Sequence, residues 1–328
     1  MSSATIRSVQ IDRVGGPEVM RLHHVELPPP GPGQARVRHD AIGVNFIDTY
    51  QRSGLYPLPL PTGLGQEAAG VVEATGDGVT AVAPGDRVAY AGGAPGSYAE
   101  ARNLPADRLV PLPAGIAAET AAATLLKGMT VEYLVQRTFP VAPGMTVLWH
   151  AAAGGVGLLA CQWLRALGVT VIGTVGSEAK AELAREHGCT HTILYDREDV
   201  AARTRELTGG AGVPVVFDSV GRSTFTGSLD ALAPRGMLVS FGNASGKPDP
   251  FDLQLLAQRG SLYVTRPTLN AYTATRADLL ASAAAVFDRL ASGVLAAATP
   301  RRFALEDVVE AHRALESRGT TGSTILVP

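Results

Sequence analysis

The sequence predicts an α/β protein of two parts, a doubly wound parallel sheet joined to a β-rich domain, and three observations carry that reading. Six short apolar segments alternate with helical segments between Thr146 and Val264. A glycine-rich turn, His150-Ala151-Ala152-Ala153-Gly154-Gly155-Val156-Gly157, falls between the first of those strands and an apolar helix. Before Ala117 the pattern is instead a period of two, broken by Gly and Pro turns.

Met1-Ser2-Ser3-Ala4-Thr5-Ile6-Arg7 lacks the apolar core of a signal peptide and runs straight into a plausible strand. Further on, Ala35, Val37, His39 and Ala41 alternate with Arg36, Arg38 and Asp40, as a strand with one inward face requires. Segments 70–74 and 86–90 suggest more strands, separated by turns such as Pro84-Gly85-Asp86. Pro28-Pro29-Pro30-Gly31-Pro32-Gly33 is a stiff surface connection, because proline cannot donate to a ladder.

From Ala118 the grammar changes. A helix is expected over 118–136, then strands at 146–150, 169–174, 191–195, 213–218, 237–241 and 261–264. Helices over 156–167, 178–187, 199–208, 223–232 and 252–258 fall between them, the order of a parallel sheet covered on both faces. The tail adds a helix at 275–291, a strand at 301–303, a helix at 305–316 and a strand at 323–327. Six strands already complete a nucleotide-binding sheet. The surplus is therefore expected to return to the β-rich part, with 1–127 and 271–328 flanking a nucleotide-binding domain at 128–270. A simple two-block arrangement is the alternative.

Composition limits the function classes. With 46% hydrophobic and 18% charged residues the chain is globular, and a net charge of −2 gives no field for nucleic acid or anionic membrane. Apolar stretches are strand-sized, so no membrane span is expected. Cys161 and Cys189 offer neither a disulfide framework nor a multi-cysteine metal site, and the cytoplasm is the expected location.

The glycine-rich turn carries the sharpest chemistry. A pyrophosphate needs a tight turn with backbone N–H groups and a positive helix end. Gly154 permits close phosphate approach and Gly157 close helix–strand packing, although Ala152 stands where the usual G-x-G-x-x-G has its first glycine. At the end of the second strand, Gly173-Thr174-Val175-Gly176-Ser177 lacks the acid that NAD-selective sites place there, and Lys180 follows. Ser177 as donor and Lys180 as cation suit a 2′-phosphate, so NADPH is the expected cofactor. Ser177 as a plain helix cap is the competing reading, and Glu178 the feature that argues against NADPH.

Beyond these local signals, the sequence closely resembles the zinc-free medium-chain dehydrogenases/reductases, in the NADPH:quinone oxidoreductase or zeta-crystallin-like branch. The landmarks are Gly43-Val44-Asn45-Phe46-Ile47-Asp48-Thr49-Tyr50, Arg52-Ser53-Gly54-Leu55-Tyr56, Gly65-Gln66-Glu67-Ala68-Ala69-Gly70, Phe217–Arg222 (Phe217-Asp218-Ser219-Val220-Gly221-Arg222), Ser240-Phe241-Gly242-Asn243 and Tyr263-Val264-Thr265-Arg266-Pro267. The resemblance implies a Rossmann doubly wound parallel sheet plus a discontinuous GroES-like β-rich catalytic domain, with the nicotinamide between them. It implies that Asn45 and Asp48 lie near the nicotinamide and ribose, with Phe46 and Thr49 in the same loop and Tyr133 as a further contact. Ala153, Gly154, Gly155, Val156 and Gly157 would hold the pyrophosphate. Gly176, Ser177, Lys180, Tyr195 and Arg318 would surround the adenosine phosphate. Ser219, Phe241, Asn243, Val264 and Thr265 lie on segments expected to approach the cofactor, and a homodimer through the segment 260–266 is implied as well.

Zinc separates the branches. The zinc-dependent alcohol dehydrogenases place Cys and His where Asn45 and Gln66 stand here, and neither is an ordinary tetrahedral ligand. Glu67 alone, or the pairs His23-His24 and His187/Cys189/His191, make no convergent set. Without a Lewis acid, quinone reduction is the easier chemistry, since its conjugated carbonyls accept the electron pair. Tyr50, Tyr56 and Gln66 are candidate substrate-pocket residues, and no catalytic acid is assigned. The alternatives are NADPH-dependent reduction of a 2-alkenal or enone double bond and, less favoured by the near-neutral charge, an RNA-binding or structural crystallin-like role.

Overall fold

The computed structural model describes residues 3–317 and 321–328, and the chain divides into two compact units. One unit takes in the described residues of Met1–Met129, Tyr272–Ala291 and Ala297–Pro328; the other takes in Thr130–Ala271 and Ser292–Ala296.

In chain order the first unit opens with β1 (Ala4–Ile11), β2 (Arg21–Leu27), β3 (Gln34–Val44), α1 (Phe46–Arg52), β4 (Thr62–Gly63), β5 (Glu67–Thr75), β6 (Arg87–Ala91), β7 (Ala101–Pro105), β8 (Val110–Pro111) and α2 (Ala118–Glu132). The second unit follows with β9 (Thr146–Trp149), α3 (Gly155–Ala166), β10 (Thr170–Val175), α4 (Glu178–Glu186), β11 (His191–Leu194), α5 (Val200–Leu207), β12 (Val213–Asp218), α6 (Phe225–Ala231), β13 (Leu232–Ser240), α7 (Gln254–Gln258), β14 (Tyr263–Thr265) and α8 (Leu269–Tyr272). The tail supplies α9 (Arg276–Ala291), β15 (Arg301–Ala304), α10 (Val308–Glu316) and β16 (Thr324–Val327).

The first unit is built on a seven-stranded sheet ordered β15-β16-β3-β5-β6-β8, with β7 paired to β3, and a three-stranded sheet ordered β2-β1-β4. At 11 residues β3 is long enough to meet three partners, and its register with β5 shifts twice, between Arg36 and Val37 and between His39 and Ala41. The tail is part of this unit's interior. Leu305, Val308, Ala311 and Leu326 share one core with Val9, Ile11, Val37, Ile42 and Val88. Each fully buried aliphatic side chain there contributes roughly 1.5–3 kcal/mol, so C-terminal residues help hold N-terminal strands.

The second unit is a six-stranded parallel sheet ordered β11-β10-β9-β12-β13-β14, the doubly wound arrangement expected of its alternating pattern. Strand residues Leu148, Ile172, Ile193, Val216 and Leu238 meet Phe225 and Leu229 of α6 in its core. β9 and β12 are also locked by Trp149 against Phe217, whose ring centroids are 4.8 Å apart.

Three expectations need correction. The 45–49 segment, read as a loop, is the start of helix α1, with Asn45 as its N-cap. The helix expected over 118–136 ends as an α-helix at Glu132 and continues as a π-helical turn, Tyr133–Thr138. β13 begins at Leu232 rather than near 237, despite Pro234 and Gly236, with a register irregularity against β12. Among the described residues no helix is long and apolar enough to cross a membrane.

Candidate functional site

The two units each carry a cluster of predicted site residues. In the second unit, β9 ends at Trp149 and α3 starts at Gly155, with Gly154 as N-cap. The intervening turn is tight: Ala151 adopts φ +55, and Gly154 N–H donates to the Ala151 carbonyl at 2.9 Å. A Cβ on Gly157 would strike the carbonyl oxygens of Ala151 and Ala152, so only glycine lets the helix approach its own turn this closely. The free N–H groups of a helix's first turn are donors for an anion, and α3 carries no acidic residue in that turn to compete.

Next along the edge, β10 ends at Val175. Gly176 lies under Tyr195, whose hydroxyl a Cβ at Gly176 would strike, and Tyr195 N–H donates to the Val175 carbonyl at 3.2 Å. Ser177 caps α4, its Oγ accepting from Lys180 N–H at 3.3 Å, so the helix-cap reading of Ser177 is realised. Glu178 is directed to Arg197, 3.8 Å away, and both are well exposed. Gly176, Ser177, Lys180 and Tyr195 thus stand together at one strand end, whereas Arg318 lies outside the described residues. Ser219, Phe241 and Asn243 gather at the ends of β12 and β13: Phe241 N–H donates to the Asp218 carbonyl, and Ala244 N–H to the Ser219 carbonyl. Val264 and Thr265 lie on β14, paired with Leu238 and Val239. Tyr133 is buried at the head of the π-helical turn.

In the first unit, α1 places Asn45, Asp48 and Thr49 inside and Phe46 outside. Asp48 is wholly buried. Its Oδ2 accepts from Asn45 N–H and from the Tyr98 hydroxyl, each at 2.8 Å, while Oδ1 has no partner among the described residues. Since Oδ2 already accepts twice, a proton held by Asp48 sits on Oδ1. Burial pushes this carboxyl up to about 7, against the Asn45 and Tyr98 hydrogen bonds.

Beside it, Asn45 Nδ2 donates to Glu67 Oε2 at 2.8 Å, and Leu126 N–H donates to Glu67 Oε1 at 2.6 Å. Lys127 Nζ stands 3.7 Å from Glu67. Burial raises the Glu67 carboxyl above its ordinary range, and Lys127 partly restores it. Behind Asp48, Tyr98 meets His312 Nε2 at 3.0 Å, and His312 Nδ1 faces Arg52 Nη1 at 3.0 Å. Arginine can only donate, so His312 Nδ1 accepts and its proton is on Nε2. Arg52 is closed off by a two-pronged pair to Glu316 at 3.0 and 2.6 Å. Burial, and then Arg52, hold His312 down at about 3, so it is neutral at working pH.

The substrate-pocket candidates divide. Tyr50 and Tyr56 pack edge to face with centroids 5.2 Å apart, and Phe46 joins them 6.3 Å from Tyr50. Gln66 is less available than expected: it is buried, and its Nε2 donates to the Gly93 carbonyl at 2.9 Å. The structure adds residues that the sequence alone does not single out, Tyr98, Lys127 and His312 around Asp48, and gives His150 of the glycine-rich turn the partners Thr174 and Ser228. Among the described residues no group of three or more His, Cys, Asp or Glu side chains could hold a metal ion.

Comparison with known proteins places both units in a family. Residues 155–282 match the family described as zinc-binding dehydrogenase, and residues 31–114 match the alcohol dehydrogenase GroES-like domain. The chain is 54% identical over 323 residues to a quinone oxidoreductase of Pseudomonas aeruginosa, covering 98% of this chain and 99% of that one. It is 44% identical over 331 residues to a 2-haloacrylate reductase of a Burkholderia species, with 98% and 99% covered. The solved Escherichia coli quinone oxidoreductase complexed with NADPH superposes with a TM-score of 0.97 at 48% identity, covering 98% of this chain and all of that one. With its paired GroES-like and Rossmann units, the chain belongs to the zinc-free quinone oxidoreductase, or zeta-crystallin-like, family of medium-chain dehydrogenases/reductases.

Proposed function

We propose that this protein reduces quinones with NADPH and without zinc. The observation that carries the cofactor assignment is the acid-free end of β10, where Ser177, Lys180 and Tyr195 stand around Gly176 and Glu178 pairs with Arg197 at 3.8 Å. A similar chain from Escherichia coli binds NADPH, and the residues here fit the same group. The turn at Ala153–Gly157 (Ala153, Gly154, Gly155, Val156 and Gly157) and the start of α3 would take the pyrophosphate, Lys180 the 2′-phosphate, and Asp48 with Asn45 the nicotinamide ribose. Ser219, Phe241, Asn243, Val264, Thr265 and Tyr133 are proposed to complete the cofactor site with Phe46 and Thr49, and Arg318 to join Lys180.

When bound, the cofactor supplies the hydride. The protein's own part is to orient it and to hold the acceptor against it. The aromatic cluster of Phe46, Tyr50 and Tyr56 offers a planar acceptor both apolar faces and phenolic donors, and Phe46 is 38% exposed.

A second reading rests on the 44% identity to a 2-haloacrylate reductase, since a 2-haloacrylate carries an activated carbon–carbon double bond. Steady-state kcat/KM with a benzoquinone and with a simple enone, read by direct NADPH turnover, separates the two. The quinone is expected to be the better substrate by at least about tenfold, a difference of roughly 1.4 kcal/mol. A larger constant for the enone would move the assignment to double-bond reduction.

We further propose a homodimer joined along β14. Among the described residues this strand pairs only with β13 and so forms an edge, with Tyr263 59% exposed, and Leu253 nearby in sequence is 74% exposed. Light scattering at micromolar concentration should give twice the chain mass; a stable monomer would contradict the proposal.

A further inference from the structure

His150 is the last residue before the glycine-rich turn, and it is buried with both ring nitrogens engaged. Its Nδ1 lies 3.0 Å from Thr174 Oγ1 of β10, and its Nε2 lies 3.0 Å from Ser228 Oγ of α6. The polarity of these bonds follows from Asp218 at the end of β12. Asp218 Oδ1 accepts from the N–H groups of Val220 at 2.7 Å and Gly221 at 3.0 Å. Its Oδ2 accepts from the hydroxyls of Thr224 at 2.7 Å and Ser228 at 2.9 Å.

Ser228 spends its one hydrogen on Asp218, so its oxygen must accept from His150 Nε2–H. His150 Nδ1 is then an acceptor and takes the Thr174 hydroxyl hydrogen. Thr174 Oγ1 in turn accepts from Ala151 N–H at 3.3 Å, at the residue held in the left-handed region. One directed chain, Ala151 to Thr174 to His150 to Ser228 to Asp218, therefore ties the ends of β9, β10 and β12. Each of those ends leads into a segment assigned above to NADPH: Ala153–Gly157, Gly176–Lys180 (Gly176, Ser177 and Lys180) and Ser219.

Resting on that assignment of NADPH, we infer that His150 is a positioning residue which, through Thr174 and Ser228, holds the three cofactor-binding turns in one geometry before the cofactor arrives. The imidazole is suited to the task because it is rigid and joins a donor and an acceptor on opposite sides of one ring. Burial keeps it neutral, with Asp218 opposing that shift, so the donor–acceptor pattern persists at working pH. Preorganisation of this kind acts on binding: a cofactor that must first order three turns binds more weakly, while the folded protein still exists.

The test is a fluorescence titration of NADPH against wild-type, His150→Leu, His150→Asn and Thr174→Val proteins, with thermal midpoints and the KM for quinone measured alongside. His150→Leu and Thr174→Val are expected to weaken NADPH about tenfold with the quinone KM unchanged. His150→Asn is expected to recover part of that loss, because its amide oxygen can still accept from Thr174 while the link to Ser228 is broken. Thr174→Val keeps the shape of the strand residue and carries the test if His150→Leu does not fold. Folded variants that bind NADPH within about twofold of wild type, whatever their melting temperature, would overturn the inference. A wild-type protein that failed to bind NADPH would instead sink the functional assignment beneath it.

Discussion

Asp48→Asn should make the cofactor-free protein more stable at pH 8 while weakening NADPH. The wholly buried carboxyl titrates at about 7 in the fold, against an ordinary value of 3.8. Its folded value is raised, so the folded state holds a proton that the unfolded chain releases between those limits. The relative stability this gives is complete below about pH 4 and is lost as pH rises through about 7. At pH 8 the ionised group costs the fold on the order of 4 kcal/mol relative to its protonated form.

An asparagine oxygen can accept the same two donors, Asn45 N–H and the Tyr98 hydroxyl, with no charge to bury. A gain of roughly 2–4 kcal/mol is therefore expected at pH 8, smaller by about 2–3 kcal/mol at pH 5, where folded Asp48 is neutral but the unfolded chain is still ionised. Thermal midpoints of both proteins at the two pH values check this. A variant less stable at pH 8, or a gain independent of pH, would refute it. The carboxylate is retained, on this account, for the ligand and not for the fold, as strained or costly groups at functional sites are.

The parallel sheet was readable because each of its strands is a short apolar run closed by a turn or a helix. Val213–Asp218 matches the strand to the residue, and α3, α4 and α5 lie within a residue or two of their expected ends. α1 was missed because its landmark residues drew attention as a motif rather than as a helix start. The signal was present: Asn45 followed three residues later by Asp48 is an N-terminal capping pattern. β2 was hidden for a different reason: its burial alternates from Leu22 on, but the half-buried face carries His23 beside Val25 and Leu27 while Leu22 is exposed, so hydropathy does not follow the alternation.

Site residues divide along the same line. The glycine-rich turn and the end of β10 are local, so adjacent residues announce them. The polar chain behind Asp48 joins residues 50, 214 and 260 positions apart, and no spacing in one sequence reveals that Tyr98, His312 and Arg52 converge. His150 stood inside the motif, but the partners that give it a role, Thr174 and Ser228, lie 24 and 78 positions away. Gln66 shows the converse error. A polar side chain in a family motif invited a substrate role, yet its amide is already engaged by the Gly93 carbonyl.

The cofactor assignment is tested most directly by dissociation constants for NADPH and NADH, taken at one ionic strength with wild-type and Lys180→Ala proteins. Only NADPH carries the 2′-phosphate, and the strand end that would meet it offers Lys180 and Tyr195, with Glu178 paired to Arg197. Loss of one charged hydrogen bond, about 1.5–3 kcal/mol, corresponds to roughly a 10- to 150-fold loss of affinity. Wild-type protein is expected to bind NADPH more tightly than NADH, and Lys180→Ala to lose that margin on NADPH alone, with Arg318→Ala acting in the same direction. Equal wild-type affinities for the two cofactors, or equal losses on both, would contradict the NADPH site and the reductase built on it.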